Sequence, residues 1–198
     1  ATSAVGAVIG AVVLTLTTYV PTFVQGVLGL SALAGGFTLA PLLLSWPLMS
    51  SQSGRVYLRI GFRRTAVIGG SIVTAGSLLT LGWTTTSSVW EICAGCLVIG
   101  AGMGLIAGPA LIAAQSSVDW SERGVVTSTN TFARNLGSAV GIAVCGAIVN
   151  ATVGDDASRA ELGDGLHIVF YTVIGGAVLL LIAALAMPGG RIADPEKS

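Results

Sequence analysis

Cys93 and Cys96 stand three residues apart in Cys93-Ala94-Gly95-Cys96, the spacing of a thiol redox pair or of half a metal site. Neither chemistry has its supporting groups. The surrounding run is apolar, with no histidine or basic side chain to activate a thiolate, so these thiols and Cys145 read as small core residues. The single histidine, His167, would need a strained serine in a facing segment to build a hydrolytic site, and the glycine-rich run from Gly100 to Gly108 holds no serine. No enzyme activity, no metal site and no cofactor is expected.

Arg134 is different, being the one charge deep within an apolar run. At 1.5 Å per helical residue it lies about 15 Å from the nearer end of its segment. A charge there costs about 2.5–3.5 kcal/mol on insertion scales, so it must face a cavity or a partner, or snorkel to an interface. Helical spacing puts Asn130 and Gly137 near its face, with Thr127, Thr131 and Ser138 alongside, which makes a polar stripe. Two readings stand: an arginine that lines a cavity or gates it, and an arginine that packs by bonding a neighbour's carbonyls. Gln25, Thr38, Thr74 and Thr80 offer further hydrogen bonds, though each can bond its own helix backbone. No carboxylate falls inside an apolar run. Glu91 sits at the mouth of one, as a solvated interfacial acid or as a proton port.

The elements that position these groups follow from composition. The 198 residues are 53% hydrophobic and 9% charged, with a mean hydropathy of +0.87. A soluble domain carries roughly a quarter charged residues, so a water-soluble fold is nearly excluded. Net charge is zero and no basic stripe is present, which argues against nucleic-acid binding. Apolar runs between polar, glycine or proline breaks predict an all-α, polytopic membrane protein with spans near 4–24, 32–51, 66–86, 91–114, 125–149 and 166–187. Residues 1–190 form the six-helix bundle on this reading, and 191–198 a tail. The chain starts at Ala1 inside the first apolar run, with no signal-peptide layout, and reads as a piece of something longer.

Arg55, Arg59, Arg63 and Arg64 crowd the segment from Gln52 to Thr65, and the positive-inside rule makes that segment a cytoplasmic loop. Alternation then puts seven basic residues inside and only Arg159 outside, with both termini cytoplasmic. Trp83 and Trp90, with Tyr19 and Phe23, are expected as interfacial aromatics at the outer ends. Small-xxx-small spacings at Gly6/Gly10, Gly100/Gly104/Gly108 and Gly137/Gly141 predict close helix approach, and Pro109 a kink in the fourth span.

Three segments resemble the fourteen-helix drug:proton antiporter group of the major facilitator superfamily. The first runs from Pro21-Thr22-Phe23-Val24-Gln25 through Gly29, Ser31-Ala32-Leu33 and Gly35 to Pro41. The second, from Gly54-Arg55 through Arg59, Gly61 and Arg63-Arg64, is similar to the superfamily's basic loop of pattern G-x-x-x-D-R-x-G-R-R. It departs at Leu58, where the family has aspartate, and at Phe62, often basic in the family. The third, Arg123-Gly124 through Asn130, Arg134, Gly137, Gly141 and Gly146, looks like the family's penultimate helix.

The resemblance implies the carboxy-terminal half of a multidrug or antibiotic efflux transporter in the plasma membrane. That half would work by alternating access with an amino-terminal partner of six or eight helices, a proton gradient as its energy source and a small lipophilic drug-like substrate. Gln25, Asn130, Arg134 and Ser138 are then cavity candidates, and Gly54, Arg55, Arg59, Gly61, Arg63 and Arg64 a conformational loop or a plain topogenic one. Gly100, Gly104, Gly108, Pro109, Gly137 and Gly141 serve helix packing and kinking. The coupling acids fall mainly in the other half. An uptake symporter half, and a membrane scaffold that transports nothing, are the alternatives.

Overall fold

The computed structural model describes residues 2–116, 118–153 and 159–186, all helical or in short turns. Six long helices follow one another: α1 (Thr2–Thr22), α2 (Ala32–Ile60), α3 (Phe62–Leu79), α4 (Val89–Gln115), α5 (Arg123–Thr152) and α6 (Arg159–Leu185). Among the described residues these six are long and apolar enough to cross a membrane. The tail expected over 191–198, with Arg191 and Lys197, lies outside the described residues.

Local chemistry sets the helix ends. Ser88 caps α4 in a reciprocal box: Glu91 N–H donates to Ser88 Oγ at 3.3 Å, and Ser88 N–H donates to Glu91 Oε2 at 3.0 Å. That accounts for Glu91 as a helix-start residue, a role readable in Ser88-Val89-Trp90-Glu91 that neither the interfacial-acid nor the proton-port reading anticipates. Ser31 caps α2 by accepting from Ala34 N–H. Pro21 lies inside α1, and the chain leaves that helix through a π-helical turn over Phe23–Val27, where Leu28 N–H reaches the Phe23 carbonyl.

The segment expected as a basic loop is helix instead. α2 continues past residue 51 to Ile60, and a single residue, Gly61, separates it from α3. Arginine, glutamine and leucine are good helix formers, and polarity alone does not end a helix. Gly61 ends it, with φ +88°, a conformation that side-chain-bearing residues avoid. Tyr57 and Phe62 stack across the break with ring centres 4.6 Å apart. We call this the basic end of the bundle, after the four exposed arginines Arg55, Arg59, Arg63 and Arg64.

Packing pairs α2 with α4 and α5 with α1, while α3 lies against α4 and α6, and α6 also touches α1. Each three-helix set thus sends its second helix against the first helix of the other, the exchange that an inverted repeat produces. Two glycine seams make these crossings close. Side chains at Gly100 and Gly104 would run into the α2 backbone at Leu42 and Trp46, and one at Gly108 would come within 2.8 Å of Ser53 Oγ. On the other side Gly10 fits beneath the Arg134 carbonyl and Gly137 beneath the Ala7 carbonyl.

The aromatic expectation needs correction. Trp83, Phe23 and Tyr19 are buried, and only Trp90 is exposed, at 73%. Trp83 and Phe23 meet Phe170 of α6 with centroids 5.2 and 5.9 Å away. These rings close the bundle end opposite the arginines, because three helices converge there around space that only large side chains fill. His167 joins them through Nε2, 2.6 Å from the Trp83 carbonyl oxygen.

Candidate functional site

The outward faces of the helices differ in kind. α3 and α6 expose Ile68, Leu78, Leu79, Leu179 and Ile182, a surface that suits hydrocarbon. α5 is the least enclosed helix, and it exposes Ser128, Thr131, Arg134 and Asn135 among Phe132, Leu136 and Val140. Asn135, four residues beyond Thr131 on the same face, extends the polar stripe past the residues grouped around Arg134 by helical spacing.

Arg134 reaches from α5 to α2. Its guanidinium carbon lies 4.9 Å from the centre of the Trp46 ring, a cation–π contact between two helices that otherwise pack against different partners. Beside this bridge is a recess of about 240 Å³ lined by Val5, Gly6 and Ile9 of α1, Trp46 and Ser50 of α2, Ala107, Gly108, Ala110 and Leu111 of α4, and Asn130 and Arg134 of α5. Asn130 sits against α1, its amide about 3.0 Å from where a Gly6 side chain would begin. The glycine seams make the recess possible, since Gly6 and Gly108 withdraw side chains from its wall. Its signal in the sequence was weak, because four separate segments build it.

The remaining candidates are placed elsewhere. Ser138 turns toward α1 at Gly10 and does not line the recess. Gln25 is exposed in the π turn, next to Pro21 and Gly35, sixteen residues and about 24 Å along the helix axis from Ile9. Thr38, Thr74 and Thr80 each bond a carbonyl of their own helix, at 2.7, 2.9 and 2.7 Å. Gly54, Arg55, Arg59, Gly61, Arg63 and Arg64 gather at the basic end, where Arg55 donates to Gln52 Oε1 at 2.8 Å. Pro109 lies inside α4, which runs on to Gln115. Gln115 in turn donates to Thr127 Oγ1 of α5 at 2.8 Å.

Cys93 and Cys96 are buried free thiols one turn apart on α4. Cys145 has polar neighbours: Thr15 Oγ1 of α1 at 3.6 Å and Thr172 Oγ1 of α6 at 3.4 Å. This small node lies on the floor of a second, apolar groove of about 440 Å³ between α1, α5 and α6.

A bundle of two exchanged three-helix sets, with polar side chains among the exposed apolar ones of α5, agrees with the sequence comparison. Residues 2–142 match the profile of the Major Facilitator Superfamily. The chain belongs to the major facilitator superfamily. Within it, the chain is similar to the multidrug transporter protein MdtP of Bacillus subtilis, 33% identical over 138 residues that cover 70% of this chain and 26% of that protein. It is also similar to the tetracycline resistance determinant of Streptomyces rimosus, 30% identical over 172 residues, 85% of this chain and 48% of that one. In fold it matches the inward-open xylose transporter XylE from E. coli with a TM-score of 0.77 at 18% identity, covering 96% of this chain and 47% of XylE. The chain thus spans about half of these proteins' length, or less. It is a multi-pass membrane bundle forming half of a major facilitator fold.

Proposed function

We propose that this chain acts as the carboxy-terminal half of a proton-coupled multidrug or antibiotic efflux transporter in the plasma membrane, paired with an amino-terminal bundle of six or eight helices. The polar outward face of α5 carries the reading. Arg134 and Asn135 lie at membrane depth, where hydrocarbon solvates them poorly, so that face belongs against a partner bundle or a water-filled cavity, while Thr131 beside them bonds the Thr127 carbonyl of its own helix. Asn130 and Arg134 line the recess that opens on this side and would meet a small lipophilic substrate there. Gln25 and Ser138 lie outside it, Gln25 at the opposite end, where the π turn gives it a place at the outer mouth.

The basic end is the cytoplasmic end in this account, and the N-terminus of α1 lies there too. Gly61, between Tyr57 and Phe62, forms the joint about which α2 and α3 change their angle as the halves rock, and the four arginines bind lipid headgroups or the partner half around it. No span interior in this chain holds a carboxylate, so the proton-carrying acid belongs to the other half. Relatives named as a multidrug transporter and a tetracycline resistance determinant support export as the direction.

The test replaces Arg134 in the joined transporter. Arg134→Ala should abolish dye export at normal expression, and Arg134→Lys should impair it; full export by both would reject the role.

A further inference from the structure

Among the described residues, the recess beside Arg134 is lined by one positive charge and no negative one. Trp46 attracts the guanidinium through the face of its ring, which holds the cation without neutralising it. Among the described residues the acids stand at helix starts or in turns: Glu91 opens α4, Asp119 and Glu122 precede α5, and Glu161 and Asp164 lie in the first two turns of α6. Arg134 is eleven residues into α5, about 16 Å along its axis, out of reach of all of them.

A guanidinium held at membrane depth calls for a counter-charge. Its planar fork of N–H donors matches a group with two oxygens, as an ammonium does not. Asn130 and Ser50 bring an amide and a hydroxyl to the same recess, while Val5, Ile9 and Leu111 give it apolar walls. The recess is cut into one bundle and bounded by four helices, a shape suited to a diffusible group more than to a side chain of a facing bundle.

Resting on the half-transporter reading, we infer that this recess takes the carboxylate, or an equivalent oxyanion, of the transported compound. The apolar wall beside it takes the compound's hydrocarbon part. The substrates are then amphipathic acids and zwitterions, and the charge of Arg134 opposes the lipophilic cations that many efflux systems carry.

The chain itself, in lipid nanodiscs, can be titrated with three probes of one skeleton: 4-bromobenzoate, 4-bromobenzyl alcohol and 4-bromobenzylammonium. Bromine quenches tryptophan emission on contact, and Trp46→Phe isolates the share of the signal that reports this recess. The acid should saturate the quench at a concentration roughly tenfold below the alcohol, with the ammonium weakest. Arg134→Gln should erase the difference, and Arg134→Lys, which keeps the charge but not the fork, should retain part of it. Equal affinity of acid and ammonium overturns the inference and leaves a carboxylate of the other half as the counter-charge. So does an acid preference that survives Arg134→Gln in monodisperse protein. Because binding is read without a second half, acid-selective binding in a chain whose joined halves export nothing upholds the anion site and rejects the transport reading. Export with no acid preference rejects the site alone.

Discussion

The guanidinium of Arg134 lies over the Trp46 ring, 4.9 Å from its centre, and so ties α5 to α2 at the edge of a recess that neither helix could form alone. Of the two glycine-seamed crossings, α2 belongs to one and α5 to the other, so the contact links the two across the open side of the bundle. A cation–π pair is worth about 0.5–1 kcal/mol when exposed and about 2 when desolvated.

Removing the ring should therefore cost stability and shape together. Trp46→Ala should lower the unfolding free energy in detergent by about 1–2 kcal/mol, and Trp46→Phe by less, since phenylalanine keeps a weaker quadrupole. Chemical denaturation of the two variants checks the order.

The glycine seams predict a sharp contrast between two alanine substitutions. Gly137→Ala would press a methyl group into the Ala7 carbonyl, whereas Gly175 has open space where its side chain would be. The first should destabilise by about 1–3 kcal/mol through overpacking. The second should be neutral, or stabilise by up to about 1 kcal/mol through better helix propensity. Thermal unfolding followed by circular dichroism separates them.

His167 bonds the Trp83 carbonyl at 2.6 Å in a part-buried setting at the aromatic end. His167→Ala should cost about 1–3 kcal/mol by leaving that carbonyl without its partner. His167→Gln, which keeps a side-chain N–H donor, should recover part of the loss, and the same unfolding assay reads it.

Sidedness follows from the arginines at the Gly61 joint. Cys93, Cys96 and Cys145 are buried, so a cysteine introduced at Arg63, or at Thr85 in the turn between α3 and α4, reports by itself. In intact cells a membrane-impermeant maleimide should label the Thr85→Cys chain and leave the Arg63→Cys chain unlabelled; the reverse pattern would invert the topology.

The helices were legible because hydropathy alone decides which segments can cross a bilayer, and no tertiary contact can override a cost of that size. Their ends were less so. Polarity marks Gln52 to Ile60 as a loop, yet the run holds good helix formers, and its one glycine, Gly54, costs a helix only about 1 kcal/mol and does not end it. Tryptophan's preference for interfaces marks Trp83 as interfacial, whereas convergence with Phe23 and Phe170 buries it, a fact that lives in residues far apart in the chain. Arg134 stood out since a deep charge is costly anywhere. What it faces was hidden, because Trp46 is 88 residues away and its only mark in the sequence was a tryptophan between Ser45 and Pro47.

The central claim is that this bundle is one of two that must face each other to export. The direct measurement is efflux of a fluorescent amphipathic acid or zwitterion from energised cells expressing this chain alone, a matching amino-terminal half alone, or both as separate polypeptides. Efflux restored only by both halves, and collapsed by a protonophore, is the predicted result. No efflux from the pair, with both halves present in the membrane and co-purifying, would contradict the account.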